Sequence, residues 1–225
     1  MEIRLSEELS QRVPGFKLGI IHYKGIEVGE SPQMLKGRLQ LFQESIFFDL
    51  EDKSVTDLEG VKEWRQLFKQ TGKDPNRYRP SVESLYRRIA KQNYLTPIQS
   101  AIDLNNFFSL QYQVPIGIYD ADKLEGDITV RLGQSGEEYT GLNGRSNSLE
   151  KLIVASDTTG PFGSPFVDSD RAPVSVATKN ALQIIYIRPT TPCESAEKLT
   201  QSLMNMFVQI HGGESDFIII GCQDK

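Results

Sequence analysis

Apolar residues recur at helical spacing through the first half of this 225-residue chain and give way, from Val114 onward, to short β-rich runs set off by glycine and aspartate. Helices and strands that segregate in this way argue for an α+β fold and against a doubly wound parallel sheet. Residues 16–28 (FKLGIIHYKGIEV), rich in aromatic and β-branched side chains and broken by Gly19 and Gly25, predict a strand with a bend. Ser31-Pro32 predicts an N-cap with proline at the first helical position, and Leu35, Leu39, Phe42 and Ile46 mark the amphipathic helix behind it. Thr56-Asp57-Leu58-Glu59 reads as a capping box for a helix through Trp64 and Phe68 that Gly72 closes. Further helices are expected after Arg79-Pro80-Ser81, over 98–111, and after a second capping box, Thr191-Pro192-Cys193-Glu194, ending at Gly212-Gly213. Strands are expected over 115–119, 127–132, 152–155, 184–187 and 217–220, mostly in an antiparallel sheet.

No repeat or low-complexity linker interrupts this pattern, so one cooperative unit over 1–225 is the simplest organisation. Within it, 1–60 form an N-terminal α/β portion, 61–190 the region richest in motifs, and 191–225 a terminal helix and strand. No run approaches the ~20 apolar residues of a membrane span, and Met1-Glu2-Ile3-Arg4 lacks a secretory pattern, so no membrane partner is expected. Two cysteines, Cys193 and Cys222, give no disulfide framework and fit a reducing cytoplasm. Cys193, in a first helical turn, reads as a packed or exposed thiol rather than a reactive one. With only His22 and His211 and no Cys-x-x-Cys, neither a metal nor another cofactor is expected.

The net charge of −5 argues against a polyanion partner until its distribution is considered. Residues 62–91 hold nine basic side chains, among them Arg79, Arg87, Arg88 and Lys91, against three acidic ones, a net +6 that leaves −11 elsewhere. An acidic body with one basic segment can steer a polyanion to a single face.

No phosphate loop, Gly-x-Gly-x-x-Gly or Gly-x-Ser-x-Gly elbow is present, which leaves kinase and nucleotide-dehydrogenase readings nothing to stand on. Three segments instead combine glycine with polar groups: Ile102-Asp103-Leu104-Asn105-Asn106, residues 136–144, and residues 157–171. The last holds Phe162, Gly163, Ser164, Asp168, Asp170 and Arg171 among Gly-Pro and Ser-Pro steps that make an ordered loop.

Taken in order, Asp103-Leu104-Asn105-Asn106-Phe107, Val114-Pro115-Ile116-Gly117-Ile118-Tyr119-Asp120, Leu124-Glu125-Gly126-Asp127 leading to Arg131, and Gly136-Glu137 form a pattern. It resembles the B3/B4 domain, the editing domain of the phenylalanyl-tRNA synthetase β subunit, over roughly residues 60–190. That domain shows Val-Asp-x-Thr-Asn, then Pro-x-His-x-Phe-Asp, then Gly-Glu. The resemblance implies a three-layer β/β/α sandwich. It also implies a freestanding trans-editing deacylase, acting on an aminoacylated tRNA whose amino-acid moiety sits in a pocket.

Under that reading Asp103, Asp168 or Asp170 holds the substrate ammonium and Asn106 orients it. Gly117, Phe162, Gly163 and Ser164 line the substrate, and Arg131 or Arg171 neutralises a phosphate or braces a carboxylate. An activated ester needs only a positioned water and a stabilised oxyanion, so no triad is required. Arg79, Arg87, Arg88 and Lys91 would meet the tRNA. Gly117 stands where the pattern has histidine and Asn105 where it has threonine, so tyrosine is not assumed as the substrate. Two readings compete: a non-catalytic module that binds tRNA or an amino acid, and an interaction subunit docking through the Trp64/Phe68 helix. The sequence does not assign an oligomeric state.

Overall fold

The computed structural model describes residues 1–222. Its strands are β1 (Ile3–Leu5), β2 (Lys17–Lys24), β3 (Ile116–Asp120), β4 (Ile128–Leu132), β5 (Glu138–Thr140), β6 (Ser146–Ser148), β7 (Ile153–Asp157), β8 (Gly160–Gly163), β9 (Asn180–Ile187) and β10 (Glu214–Ile220). Its helices are α1 (Glu7–Arg12), α2 (Gln33–Asp49), α3 (Glu59–Thr71), α4 (Ser81–Ile89), α5 (Ser100–Tyr112) and α6 (Cys193–His211).

Two four-stranded sheets form, β1-β4-β7-β8 and β10-β2-β9-β3, beside the β5-β6 hairpin. All pairings are antiparallel except β1 with β4. The second sheet is covered on both faces, and the two-residue side-chain period of a strand shows how. Leu18 and Ile20 of β2, with Leu182, Ile184 and Tyr186 of β9, join the core shared with Ile128, Val130 and Val154 of the first sheet. Their neighbours Ile21, Tyr23, Ala181, Ile185 and Ile187 face the other way, against Leu104 and Phe108 of α5 and Leu199, Leu203 and Phe207 of α6. The layers are therefore sheet, sheet and helices, the α+β sandwich expected. A strand buried on both faces cannot alternate, which is why Ile184-Ile185-Tyr186-Ile187 is continuously apolar.

Several local expectations are corrected. Ser31 does not cap α2; its hydroxyl donates to Asp103 at 2.5 Å, and Pro32 occupies the N-cap position. The capping box before α3 belongs to Ser54 and Asp57 rather than to Thr56, and it opens a short 3-10 turn. Pro192 takes the N-cap of α6, so Thr191 caps nothing. Trp64 and Phe68 are buried, which removes the docking face proposed for their helix. Cys193 and Cys222 are bonded to each other, not free thiols. The reason is topological: the turn at Gly212-Gly213 sends β10 back along α6, bringing the end of the strand to the start of the helix. No helix among the described residues is long and apolar enough to cross a membrane.

Candidate functional site

Between the helical layer and the end of the first sheet lies a cavity of about 310 Å³. α4 contributes Ser81 and Leu85, α5 contributes Ile102 and Asn106, β3 contributes Ile116 and Ile118, and the loop after β8 contributes Ser164, Phe166, Val167 and Asp168. Its wall is mostly apolar with a few convergent polar groups, the usual make-up of a small-molecule site. α5 reaches it because a helix entered at Ser100 turns Ile102, Asn105, Asn106 and Ser109 to one side at three- and four-residue spacings. Asn105 is spent in a buried chain, its amide nitrogen on the Ile116 carbonyl at 3.3 Å and its oxygen accepting from Gln183, which in turn accepts from Tyr23 at 2.7 Å. The Asn106 amide makes no hydrogen bond among the described residues and faces the cavity.

Asp168 is the charged group of this pocket. Its Oδ1 accepts from the Tyr119 hydroxyl at 2.7 Å and from the Ser164 amide at 3.2 Å, while Oδ2 has no partner among the described residues. Burial pushes its carboxyl up to about 6, against the pull of those two donors. Burial and the same carboxylate raise the hydroxyls of Tyr119, Tyr139 and Tyr186 above the ordinary phenol range, so all three are neutral at physiological pH. The loop bearing Asp168 is fixed by Ser164, whose hydroxyl donates to the Val167 carbonyl at 2.9 Å and accepts from the Phe166 and Val167 amides.

Tyr119 explains the departure at Gly117. The two residues are two apart on β3 and share a face, and the tyrosine side chain lies back across Gly117 to reach Asp168. A Cβ on Gly117 would sit 2.5 Å from Tyr119 Cζ, and a Cβ on Gly163 would sit 2.6 Å from the same atom. Phe162 packs its ring against Tyr119 edge-on, 4.8 Å between centroids. The space that a side chain at 117 would fill is therefore occupied by the phenol. Tyr119 was not among the residues singled out from the sequence, although its two-residue spacing from Gly117 was the available signal.

Of the expected site residues, Asn106, Ser164 and Asp168 come together, with Gly117, Phe162 and Gly163 behind them packing Tyr119. The others lie elsewhere. Asp103 is buried outside the cavity, both oxygens taken by Ser31 and by the Ile98 amide at 3.0 and 3.2 Å, where it ties α5 to the entry of α2. Asp170 is solvent-exposed. Arg131 forks onto Glu137 at 2.9 and 2.6 Å, and that bond holds the Glu137 carboxyl below the usual carboxylate range. Arg171 pairs with Asp157 at 2.9 Å; burial pushes the Asp157 carboxyl up, but this pairing and the amides of Glu125 and Thr159 hold it low. Neither arginine lines the pocket.

Arg79, Arg87, Arg88 and Lys91 line one shallow concavity of about 320 Å³ with Ser84 and Asn93. Arg87 is partly committed, donating to the buried Glu83 at 2.7 Å, a carboxylate that also accepts from Arg65. Arg79, Arg88 and Lys91 are exposed and make no ion pair among the described residues. Elsewhere in the basic segment Lys73 is buried, its ammonium donating to the Ser148 and Glu150 carbonyls. Ser81, Leu85 and Arg88 follow one another at spacings of four and three, so the pocket wall and the basic concavity lie along one stripe of α4.

The sequence pattern of the B3/4 domain matches residues 63–202, more than half of the chain and the stretch that carries this pocket. The chain belongs to the B3/4 domain family. It is 40% identical over 213 residues to the uncharacterized protein YhzB of Bacillus subtilis, covering 95% of this chain and 96% of that one. The phenylalanine–tRNA ligase β subunit of Paramagnetospirillum magneticum is 32% identical over 108 residues, 47% of this chain but 14% of the subunit. The same subunit of Bifidobacterium longum is 32% identical over 120 residues, again 14% of its length. About half of this B3/4 chain is matched, and that half corresponds to about one seventh of the length of the ligase subunits. An N-terminal fragment of the phenylalanyl-tRNA synthetase β subunit from Pyrococcus horikoshii superposes with a TM-score of 0.48 at 15% identity, covering 97% of this chain and 53% of that one.

Proposed function

We propose that this B3/4 chain is a freestanding deacylase that hydrolyses the ester of a mischarged aminoacyl-tRNA, with the amino-acid moiety in the Asp168 pocket. The observation that carries the reading is the placement of Asp168. A carboxylate with one free oxygen and a carboxyl near 6 lies in a largely apolar cavity of amino-acid size, beside the unpaired Asn106 amide. Such a group is ionised at neutral pH yet close enough to it to exchange protons, as a general base must be. Asp168 Oδ2 takes a proton from water as its oxygen bonds to the ester carbonyl carbon. Asn106 is placed to donate to the carbonyl oxygen as charge builds there. The carbon–oxygen ester bond then breaks, and the departing ribose oxygen takes up the proton. The apolar wall accepts a hydrophobic side chain, and Arg88 on α4, with Arg79 and Lys91 just beyond its two ends, lies ready for the phosphates of the acceptor end.

The test is a deacylation panel in which correctly and incorrectly charged tRNAs are incubated with the purified protein and loss of labelled amino acid is followed. Hydrolysis of a mischarged pair is expected, with a rate that rises to a plateau above pH about 6. That hydrolysis disappears in Asp168→Asn and survives in Asp170→Asn. A second reading, a binding module without turnover, is favoured by the missing histidine at Gly117. Retained tRNA binding with no hydrolysis of any pair would establish it and reject the deacylase.

A further inference from the structure

α2 carries apolar residues on two opposite sides. Leu35, Leu39 and Ile46 are buried toward α4 and α5, whereas Met34, Leu41 and Phe48 are 50%, 68% and 64% exposed. The exposed three are seven residues apart, which sets them in one line along the helix, the seam used when two helices pack nearly parallel or antiparallel. A monomer gains nothing from such a line in water, and exposed apolar side chains aligned along one face of a helix suit an interaction face.

The residues around the line have a symmetry that identifies the occupant. Counting outward from Leu41, Met34 and Phe48 lie seven positions away on either side, Gly37 and Ser45 four, and Arg38 and Glu44 three. Two antiparallel copies of the helix crossing at Leu41 would set Leu41 on Leu41, Met34 on Phe48, the small Gly37 on the small Ser45, and Arg38 on Glu44. That is the self-complementary arrangement a twofold interface requires, residue i meeting j and j meeting i. Arg38 and Glu44 make no ion pair with any described residue; Glu44 accepts only from Gln40 of its own helix at 3.2 Å. Nothing lies within 4 Å of where a Cβ on Gly37 would stand, so no contact within the chain calls for a glycine there. A glycine inside a helix costs roughly 0.5–1 kcal/mol against alanine, and a close helix approach is a reason to keep one.

We infer that the exposed side of α2 is the contact face of a homodimer, two copies of this chain pairing antiparallel through Met34, Leu41 and Phe48 with Arg38 and Glu44 as reciprocal ion pairs. A two-helix contact lies at the small end of specific interfaces, below about 1,200 Å², so the association is concentration-dependent. It is independent of the function proposed for the pocket.

The test is sedimentation velocity of the full chain from micromolar to millimolar concentration, at low and high salt. A monomer–dimer equilibrium is expected, weakened at least about tenfold by Leu41→Glu. It is also weakened by Arg38→Glu, and restored when Arg38→Glu is combined with Glu44→Arg. Leu41→Cys gives a cross-linked dimer on mild oxidation, while Met34→Cys alone does not and an equal mixture of Met34→Cys and Phe48→Cys does. Met34, Arg38, Leu41 and Phe48 are exposed and Glu44 is half-buried, and circular dichroism verifies that each variant keeps the fold. A chain that stays monomeric throughout, or a double charge exchange that fails to restore the dimer, overturns the inference.

Discussion

Replacing Asp168 by asparagine should stabilise the protein while abolishing its activity. The carboxyl is raised from 3.8 to about 6, and at ~1.4 kcal/mol for each tenfold change in proton affinity the buried charge costs ~3 kcal/mol at neutral pH. That value is already net of the bonds from Tyr119 and Ser164. Asparagine keeps a neutral acceptor for both donors. A gain of about 3 kcal/mol follows, or roughly 6–12 °C in Tm for a chain of this size. The pH dependence separates this from an unrelated effect. Because the folded state holds the proton more tightly than the unfolded chain, the favourable contribution of Asp168 is complete below pH about 4 and is lost as pH rises through about 6. Thermal unfolding of both proteins from pH 4 to 8 should therefore give melting temperatures that coincide at the acid end and separate toward pH 7. Equal melting temperatures at pH 7.5, or a difference that does not change with pH, would refute the burial argument, whatever the deacylation assay shows.

Three further outcomes are expected. Gly117→Ala forces the Tyr119 ring from its place, and should cost about 1–3 kcal/mol in urea unfolding along with the Tyr119–Asp168 bond. Arg79→Ala with Arg88→Ala should make log K for tRNA fall less steeply with log salt, by roughly 0.7–0.9 for each phosphate no longer neutralised; an unchanged slope would take both off the binding face. His211, buried with Nδ1 on the Phe207 carbonyl and Nε2 on the Ser100 hydroxyl at 2.8 and 2.7 Å, has its proton affinity lowered by burial. The unfolded chain therefore binds the proton first, and this contribution to stability is lost as pH falls below 6.5; His211→Gln should flatten that limb.

What the sequence made legible follows from how local each signal is. α5 and β3 were expected near their observed bounds, and β9 over its last four residues, because a period of 3.6, a period of 2 or a continuous apolar run needs only neighbouring residues. One capping box was misplaced by two positions and the one at Thr191 does not form, because Ser54, Thr56 and Thr191 all offer a hydroxyl near an acid, and chain entry decides among them. The Cys193–Cys222 bond lay beyond reach, since two cysteines 29 positions apart meet only once β10 turns back on α6. Asp103 failed as a site residue for a similar reason: its partner Ser31 is 72 residues away, and a carboxylate between two donors looks in sequence like one that faces a ligand.

Gly117 shows how a departure from a family pattern can be read as a rearrangement rather than a loss. At that position the B3/4 pattern has histidine, and its absence by itself suggests a disabled pocket. Tyr119, however, reaches across the glycine, and its hydroxyl meets Asp168 at 2.7 Å in space that no side chain at 117 or 163 could share. A polar group still reaches Asp168, from two residues further along the same strand and from behind the pocket wall. The three positions are then a single unit. Histidine restored at 117 with Tyr119 in place should destabilise the fold and displace Asp168, giving no activity. Histidine paired with a smaller residue at 119 should be tolerated and return the Asp168 carboxyl toward its solvent value only if water replaces the phenol. Titration of Asp168 by NMR in the two variants distinguishes these outcomes. A single Gly117→His substitution that left the Asp168 titration unchanged would show that the phenol and the glycine are not coupled.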